Sequence, residues 1–286
     1  MRLAHLILAH NNPLQLERLV KKLSTNRADV FIHLDKKSNL SEFKHLSLLS
    51  NVFFIANRTN IGWGNYSMVD ATLKSFIEIL QLNSKYSHIN LLSGHDYLIK
   101  PAIELEEFLF ANKENNFQEY LSINNEWQES KVRITKYSFG GLKIPFKYKL
   151  QYLVNKLFPD RTVPNQMEPY GRSQWMTLTP QAIKYVIEYL KNNPNVLQFF
   201  KRTWGVDELI FQTILLNSPL KDTIINNNLR FIEFEKNAIN PRILTQADAT
   251  ALLDSGKFMA RKFSLEQSPE IFQLLDIELD KSILHN

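Results

Sequence analysis

The chain has 286 residues, 44% of them hydrophobic and 22% charged, enough to bury a large core as one big domain or two modest ones. Its 34 Lys and Arg against 29 Asp and Glu leave a charge of +5 that suits an anionic ligand or an anionic membrane surface, and the basic residues are dispersed rather than gathered into a nucleic-acid-binding stripe. With no Cys, disulfides, thiolate metal sites and a Cys nucleophile are excluded; no apolar run approaches the about 20 residues of a membrane span, so a cytoplasmic protein, at most peripheral to the inner face of the membrane, is expected.

The first hundred residues alternate apolar strands with helical segments. "LAHLILAH" (3–10) reads as a buried strand ending in polar residues, with Pro13 at a helix start and Leu16, Leu19, Val20 and Leu23 at helical spacing. Strands follow at 29–35 and 51–57, then a loop with Gly62 and Gly64, a helix over 67–80 and a strand over 88–96. This order predicts a mainly parallel sheet flanked by helices, in which ligands gather at the carboxyl ends of the strands. His10, Asp35 and Asp96 all lie at such ends.

The second half predicts strands at 119–124 and 175–180, helices at 180–190 and 207–216, an extended segment at 223–235 and a short helix opened by Thr245. A single domain over 1–286 is expected, with a nucleotide-binding half at 1–110, an acceptor-binding and catalytic half at 111–286 and a candidate insertion at 140–169. In that insertion "KIPFKYKLQYLVNKLF" (143–158) mixes four lysines with large apolar residues. It reads either as a helix packed on the core with a solvated lysine face or as a basic amphipathic segment touching an anionic membrane.

There is no Walker-type loop, no dinucleotide fingerprint after the first strand, no H-E-x-x-H and no G-x-S-x-G elbow. The alternate acids Asp276, Glu278 and Asp280 read as a solvated helix face rather than a cation site. In "WGVDELIFQT" (204–213), Asp207 reads as a helix cap and Glu208 as a first-turn acid favoured by the helix dipole. Successive helical residues point roughly 100° apart, so Asp207 could cap while Glu208 projects into a cleft as a base.

The segments "LAHLILAHNNPLQLERLVKKL", "DVFIHLDKKS", "HINLLSGHDYLIKP", "GRSQWMTLTPQAIKYVIEYL", "VDELIFQTILLNSP" and "MARKFS" occur here in an order that resembles the core-2/I-branching β-1,6-N-acetylglucosaminyltransferases, a family that includes peptide O-xylosyltransferases and many bacterial members. The resemblance covers residues 3 to about 264 and implies a GT-A-type α/β fold. It further implies an inverting transferase that moves a sugar, GlcNAc first among candidates, from a UDP-sugar to a glycan hydroxyl in surface-polysaccharide synthesis, and the basic balance with residues 143–156 adds a lipid-linked glycan as a candidate acceptor. Glu208 would be the catalytic base, and Lys262 with Arg242 would neutralise the leaving diphosphate without a metal. Donor contacts would come from Leu8, His10, Asp35, Trp63 and Asp96, and acceptor contacts from Glu119, Trp175 and Phe234. Phe234 stands where many bacterial relatives carry Trp, while Met259 and Ser264 depart from the usual Phe and Asp. The competing readings are a non-catalytic nucleotide-sugar- or glycan-binding protein on the same scaffold, a nucleic-acid-binding protein and a glycoside hydrolase.

Overall fold

The computed structural model describes residues 1–82, 85–235 and 238–284. In chain order the strands and helices begin with β1 (Arg2–Ala9), α1 (Pro13–Leu23), β2 (Ala28–Leu34), β3 (Val52–Phe54) and α2 (Tyr66–Leu80). Next come β4 (Tyr86–Ser93), β5 (Tyr97–Leu98), α3 (Ala102–Ala111), β6 (Asn116–Ser122), α4 (Lys131–Thr135), α5 (Lys147–Leu157) and β7 (Tyr170–Leu178). The remainder is α6 (Pro180–Asn192), α7 (Pro194–Lys201), α8 (Ile210–Leu216), β8 (Ile224–Ile225), β9 (Arg230–Ile232), α9 (Ala249–Asp254), β10 (Met259–Arg261) and α10 (Pro269–Leu284).

These elements form two compact units. One comprises Met1–Ala56, Asn83–Lys113 and Leu229–Asn286; the other comprises Asn57–Leu82 and Glu114–Asn228. The chain therefore does not divide once near residue 110. The C-terminal segment joins the first unit because β10 pairs with β5 and β9, and Trp63 falls in the second unit.

In the first unit β3, β2, β1 and β4 are parallel neighbours, with Leu8 opposite both His33 and Ser93. All but the first residue of β1, and all of β2, are buried, as expected of strands covered on both faces. Helix α1 starts as predicted: Pro13 occupies its first turn, and the Asn12 side chain accepts a hydrogen bond from the Gln15 amide at 3.1 Å. Of the acids near the C-terminus, Asp280 is exposed as expected, but Asp276 is largely covered by ion-pair and hydrogen-bond partners. Asp276 pairs with Arg18 at 2.6 Å and accepts from the Tyr97 hydroxyl at 2.7 Å, and so ties α10 to α1 and β5, while Asp280 pairs with Lys22 of α1 at 2.9 Å.

In the second unit β7 runs antiparallel to β6, and β6 parallel to β8. Strand β7 begins five residues before the predicted Trp175, and Thr179 leaves the strand to cap α6, its hydroxyl accepting from the Ala182 amide at 3.2 Å. The predicted helix 207–216 is broken. A single tight turn at Val206–Glu208 ends at Leu209, whose backbone is non-helical, and only then does α8 begin, with Ile210 to Leu215 wholly buried. Asp207 therefore caps nothing. The expected extended segment 223–235 likewise splits into β8 and β9, with Asn226 instead tying its side chain to the Tyr120 backbone. Helix α5 buries none of its residues, which corrects the packed-helix reading of residues 143–158.

Candidate active site

In the second unit the site is built around Glu208. Gly205 holds φ at +62°, a left-handed conformation that costs glycine little, and its amide donates to the Gly64 carbonyl at 2.8 Å. The turn that follows delivers Glu208 with its side chain 37% exposed. Glu208 Oε2 accepts from Arg133 Nη1 at 2.6 Å, a charge-assisted bond that fixes one carboxylate oxygen. Oε1 makes no hydrogen bond to a described residue and remains available to take a proton.

Arg133 is itself held by aromatic faces. Its guanidinium lies 4.8 Å from the ring centroids of both Trp127 and Trp204, and Trp204 meets Trp63 edge to face at 5.5 Å. Two of the chain's four tryptophans thus flank this arginine, and a third packs on one of them. Sequence reasoning missed Arg133, Trp127 and Trp204. Their positions 127, 133 and 204 share no spacing, and only the aromatic richness hinted at them.

Gly171 on β7 makes room for this arrangement. A Cβ there would come within 2.6 Å of the Glu208 carbonyl oxygen and 3.2 Å of the Trp127 ring, and would press on Leu209. Gly171→Ala is therefore expected to lower stability by about 1–3 kcal/mol, because the strand and the 206–209 turn must separate. A thermal melt checks it, and an unchanged midpoint would mean the turn adapts freely.

Beside Glu208, Asp207 has its Oδ1 enclosed and without a hydrogen-bond partner among the described residues. Its carboxyl is pushed up to about 7, first by burial and then by the Glu208 charge. The turn thus presents two neighbouring acids in opposite settings, one enclosed and one open.

The expected acceptor residues have mixed placements. Glu119 on β6 accepts from Asn228 Nδ2 at 2.7 Å and lies 3.8 Å from Arg172, whose guanidinium in turn sits 5.6 Å from the Trp127 ring. Glu119 and Glu208 thereby flank one aromatic and arginine cluster. Trp175 is half-buried on β7 and Trp63 is exposed. Phe234 is exposed and belongs to the first unit.

The first unit gathers a separate set at the carboxyl ends of β1, β2 and β4. Leu8 is buried in β1, and Asp35 receives the Lys37 amide on Oδ1 at 2.9 Å, its Oδ2 lying 3.6 Å from the Lys37 ammonium. His10 is exposed and its ring lies 5.8 Å from that of His95. Burial lowers the His10 pKa, the Asp35 charge opposes this, and the Lys262 charge lowers it further. His95 is pushed down to about 4 by burial, and its Nδ1 sits 3.2 Å from the Phe263 carbonyl. Both histidines are therefore neutral at pH 7.

Lys262 follows β10. It makes no ion pair with a described residue, and burial together with the Arg261 charge lowers its pKa. Such a cation gains from an anion placed against it. Two expectations need correction here. Arg242 is not a spare cation: it binds Asp248 at 2.5 and 2.8 Å and Glu233 at 2.6 Å, so its charge is already met, and the pairing holds Asp248 down at about 2. Asp96 exposes no atom. It is fully buried, accepts the Ser93 amide at 3.1 Å and faces Arg230 and Arg261 at 3.9 and 3.6 Å. Arg230 and Arg261 were not anticipated; a buried acid after a central strand is the signal that such partners exist.

The fold is that of an α/β protein with a mainly parallel sheet; its second unit carries an oriented, open carboxylate, and its first unit a cation, Lys262, with no ion pair among the described residues. Residues 3–252 match the family model described as Core-2/I-Branching enzyme, and the chain belongs to that family. It is 25% identical over 303 residues to xylosyltransferase 2 of Canis lupus familiaris, an alignment covering 98% of this chain and 34% of that protein. It is also 25% identical over 304 residues to xylosyltransferase 1 of Homo sapiens, covering 98% and 30%. The chain thus spans about a third of the length of the curated relatives it matches. Among solved structures, the galactosyltransferase LgtC in complex with donor and acceptor sugar analogs is similar at a TM-score of 0.46 and 10% identity, with 96% of each chain covered. A likeness at that level carries no argument about function.

Proposed function

We propose that the protein is an inverting glycosyltransferase of GT-A type, moving a sugar from a UDP-sugar to a glycan or lipid-linked glycan hydroxyl and forming a β-linkage in surface-glycan synthesis. The observation that carries this reading is Glu208, an open carboxylate with Oε2 fixed by Arg133 and Oε1 available. Family membership supports it. Glu208 removes the acceptor hydroxyl proton as that oxygen attacks the anomeric carbon from the face opposite UDP. The new C–O bond forms, the bond to UDP breaks, and the proton ends on Glu208. Arg133 fixes the orientation of the base beforehand by holding its Oε2. The leaving UDP gains negative charge, which Lys262 is suited to neutralise without a metal. GlcNAc and xylose are the donor sugars to try first, the former from the family's activities and the latter from the names of the relatives.

Calorimetric titration with a panel of UDP-sugars in EDTA tests this. Binding is expected without metal, and Lys262→Ala should weaken it roughly 10–100-fold, the worth of one hydrogen bond to a charged group. Binding only after Mn²⁺ is added would overturn metal independence. Binding without turnover of any UDP-sugar would leave the binding-protein reading in its place.

A further inference from the structure

Helix α5 is mounted inside out. Lys147, Gln151 and Asn155, one helical turn apart, form the face toward the rest of its unit. Gln151 Oε1 accepts from the Phe139 amide at 2.7 Å, Asn155 bonds both the amide and the carbonyl of Tyr137 at 2.8 and 2.9 Å, and Lys147 Nζ donates to the Gly140 carbonyl at 2.7 Å. The polar side chains are spent on attachment, and the apolar ones point away. Leu150, Leu153 and Leu157 form an exposed stripe at i, i+3 and i+7, with Tyr148 and Tyr152 exposed on the other flank. Phe146 before the helix and Leu157 at its end are each 74% exposed, and Phe158 is exposed too. Lys149 and Lys156 lie between the two flanks, and Lys143 precedes the helix; all three are exposed. No Asp or Glu occurs anywhere from 141 to 159.

Contiguous exposed apolar surface of this kind on a soluble fold marks an interaction site. The chemistry chooses the occupant. A protein partner would have to bury lysines at the centre of the face, where protein interfaces are depleted of them. A bilayer accepts leucines and phenylalanines into the acyl boundary, tyrosines at headgroup level and lysines among anionic headgroups. We propose that residues 143–158 dock this protein on an anionic lipid surface, with the α5 leucine stripe inserted and Lys143, Lys149 and Lys156 on the headgroups. The inference is independent of the transferase reading. Among the described residues no helix is long and apolar enough to cross a membrane, so this contact is peripheral.

The test is co-sedimentation of the full chain with vesicles of equimolar phosphatidylcholine and phosphatidylglycerol, against vesicles of phosphatidylcholine alone. Binding is expected only to the anionic vesicles and should fall as salt is raised. Lys149→Glu with Lys156→Glu, and separately Leu153→Ser with Leu157→Ser, should each lower partitioning roughly tenfold or more. All four positions are exposed, so unchanged thermal melts will show that the fold survives. Equal binding to both vesicle types, no binding, or binding untouched by either double variant would overturn the proposal. So would a concentration-dependent dimer abolished by the leucine variant, which would assign the face to a second copy of the chain.

Discussion

Glu208→Gln is expected to lower turnover by about 10²–10⁴-fold, the usual contribution of a positioned general base, while leaving UDP-sugar affinity unchanged. The amide has the size of the carboxylate and still offers an oxygen to Arg133 Nη1, which lies 2.6 Å from Glu208 Oε2. It has lost the ability to take a proton. A fall in kcat with an unaltered binding isotherm therefore isolates the proton transfer. The comparison needs steady-state transfer kinetics and calorimetry on the same preparations. Turnover within tenfold of the wild type would mean that another group accepts the acceptor proton, and Glu208 would then be an ion-pair residue that organises Arg133 between its two tryptophans.

Asp207→Asn should raise stability, and by an amount that grows with pH. The carboxyl is pushed up to about 7 by burial and by Glu208. In the unfolded chain an aspartate ionises near pH 4. Between about pH 4 and pH 7 the folded protein thus holds a proton that the unfolded chain has released, so stability declines as pH rises through this window, and the penalty is complete above it. The variant carries no such proton. Its melting temperature should match the wild type near pH 4, pull ahead up to about pH 7 and keep a constant lead beyond, worth a few kcal/mol at most. Melts across pH 4 to 8 will show this. A lead that shrinks as pH rises would mean the native carboxylate is ionised and stabilised by a partner.

Much of the first unit could be read from the chain itself. Residues 3–10, 29–35 and 88–96 are apolar runs too continuous for a half-solvated sheet, and they become β1, β2 and β4, parallel and buried. Helices α1, α2 and α6 follow their 3.6-residue periodicity to within a residue or two, because each buries one face and local pattern and global packing agree. The acid pair at 207–208 stood out as a candidate site because the surrounding segment resembles a family pattern.

The setting of those acids was not legible. Whether an acid caps a helix or sits enclosed beside one depends on a backbone break at Leu209, and that break follows from β7 packing at Gly171 against the turn. Such a contact joins residues that lie far apart in sequence. The same holds for charge. Arg242, Lys262 and Asp96 look alike as candidate ligand groups in a one-dimensional string. Only tertiary placement neutralises Arg242 with Asp248 and Glu233, buries Asp96 under Arg230 and Arg261, and leaves Lys262 without a carboxylate among the described residues. Residue type and periodicity determine what a segment is able to become. The free energy of a charge depends on the dielectric and the countercharges around it, and folding alone assembles those.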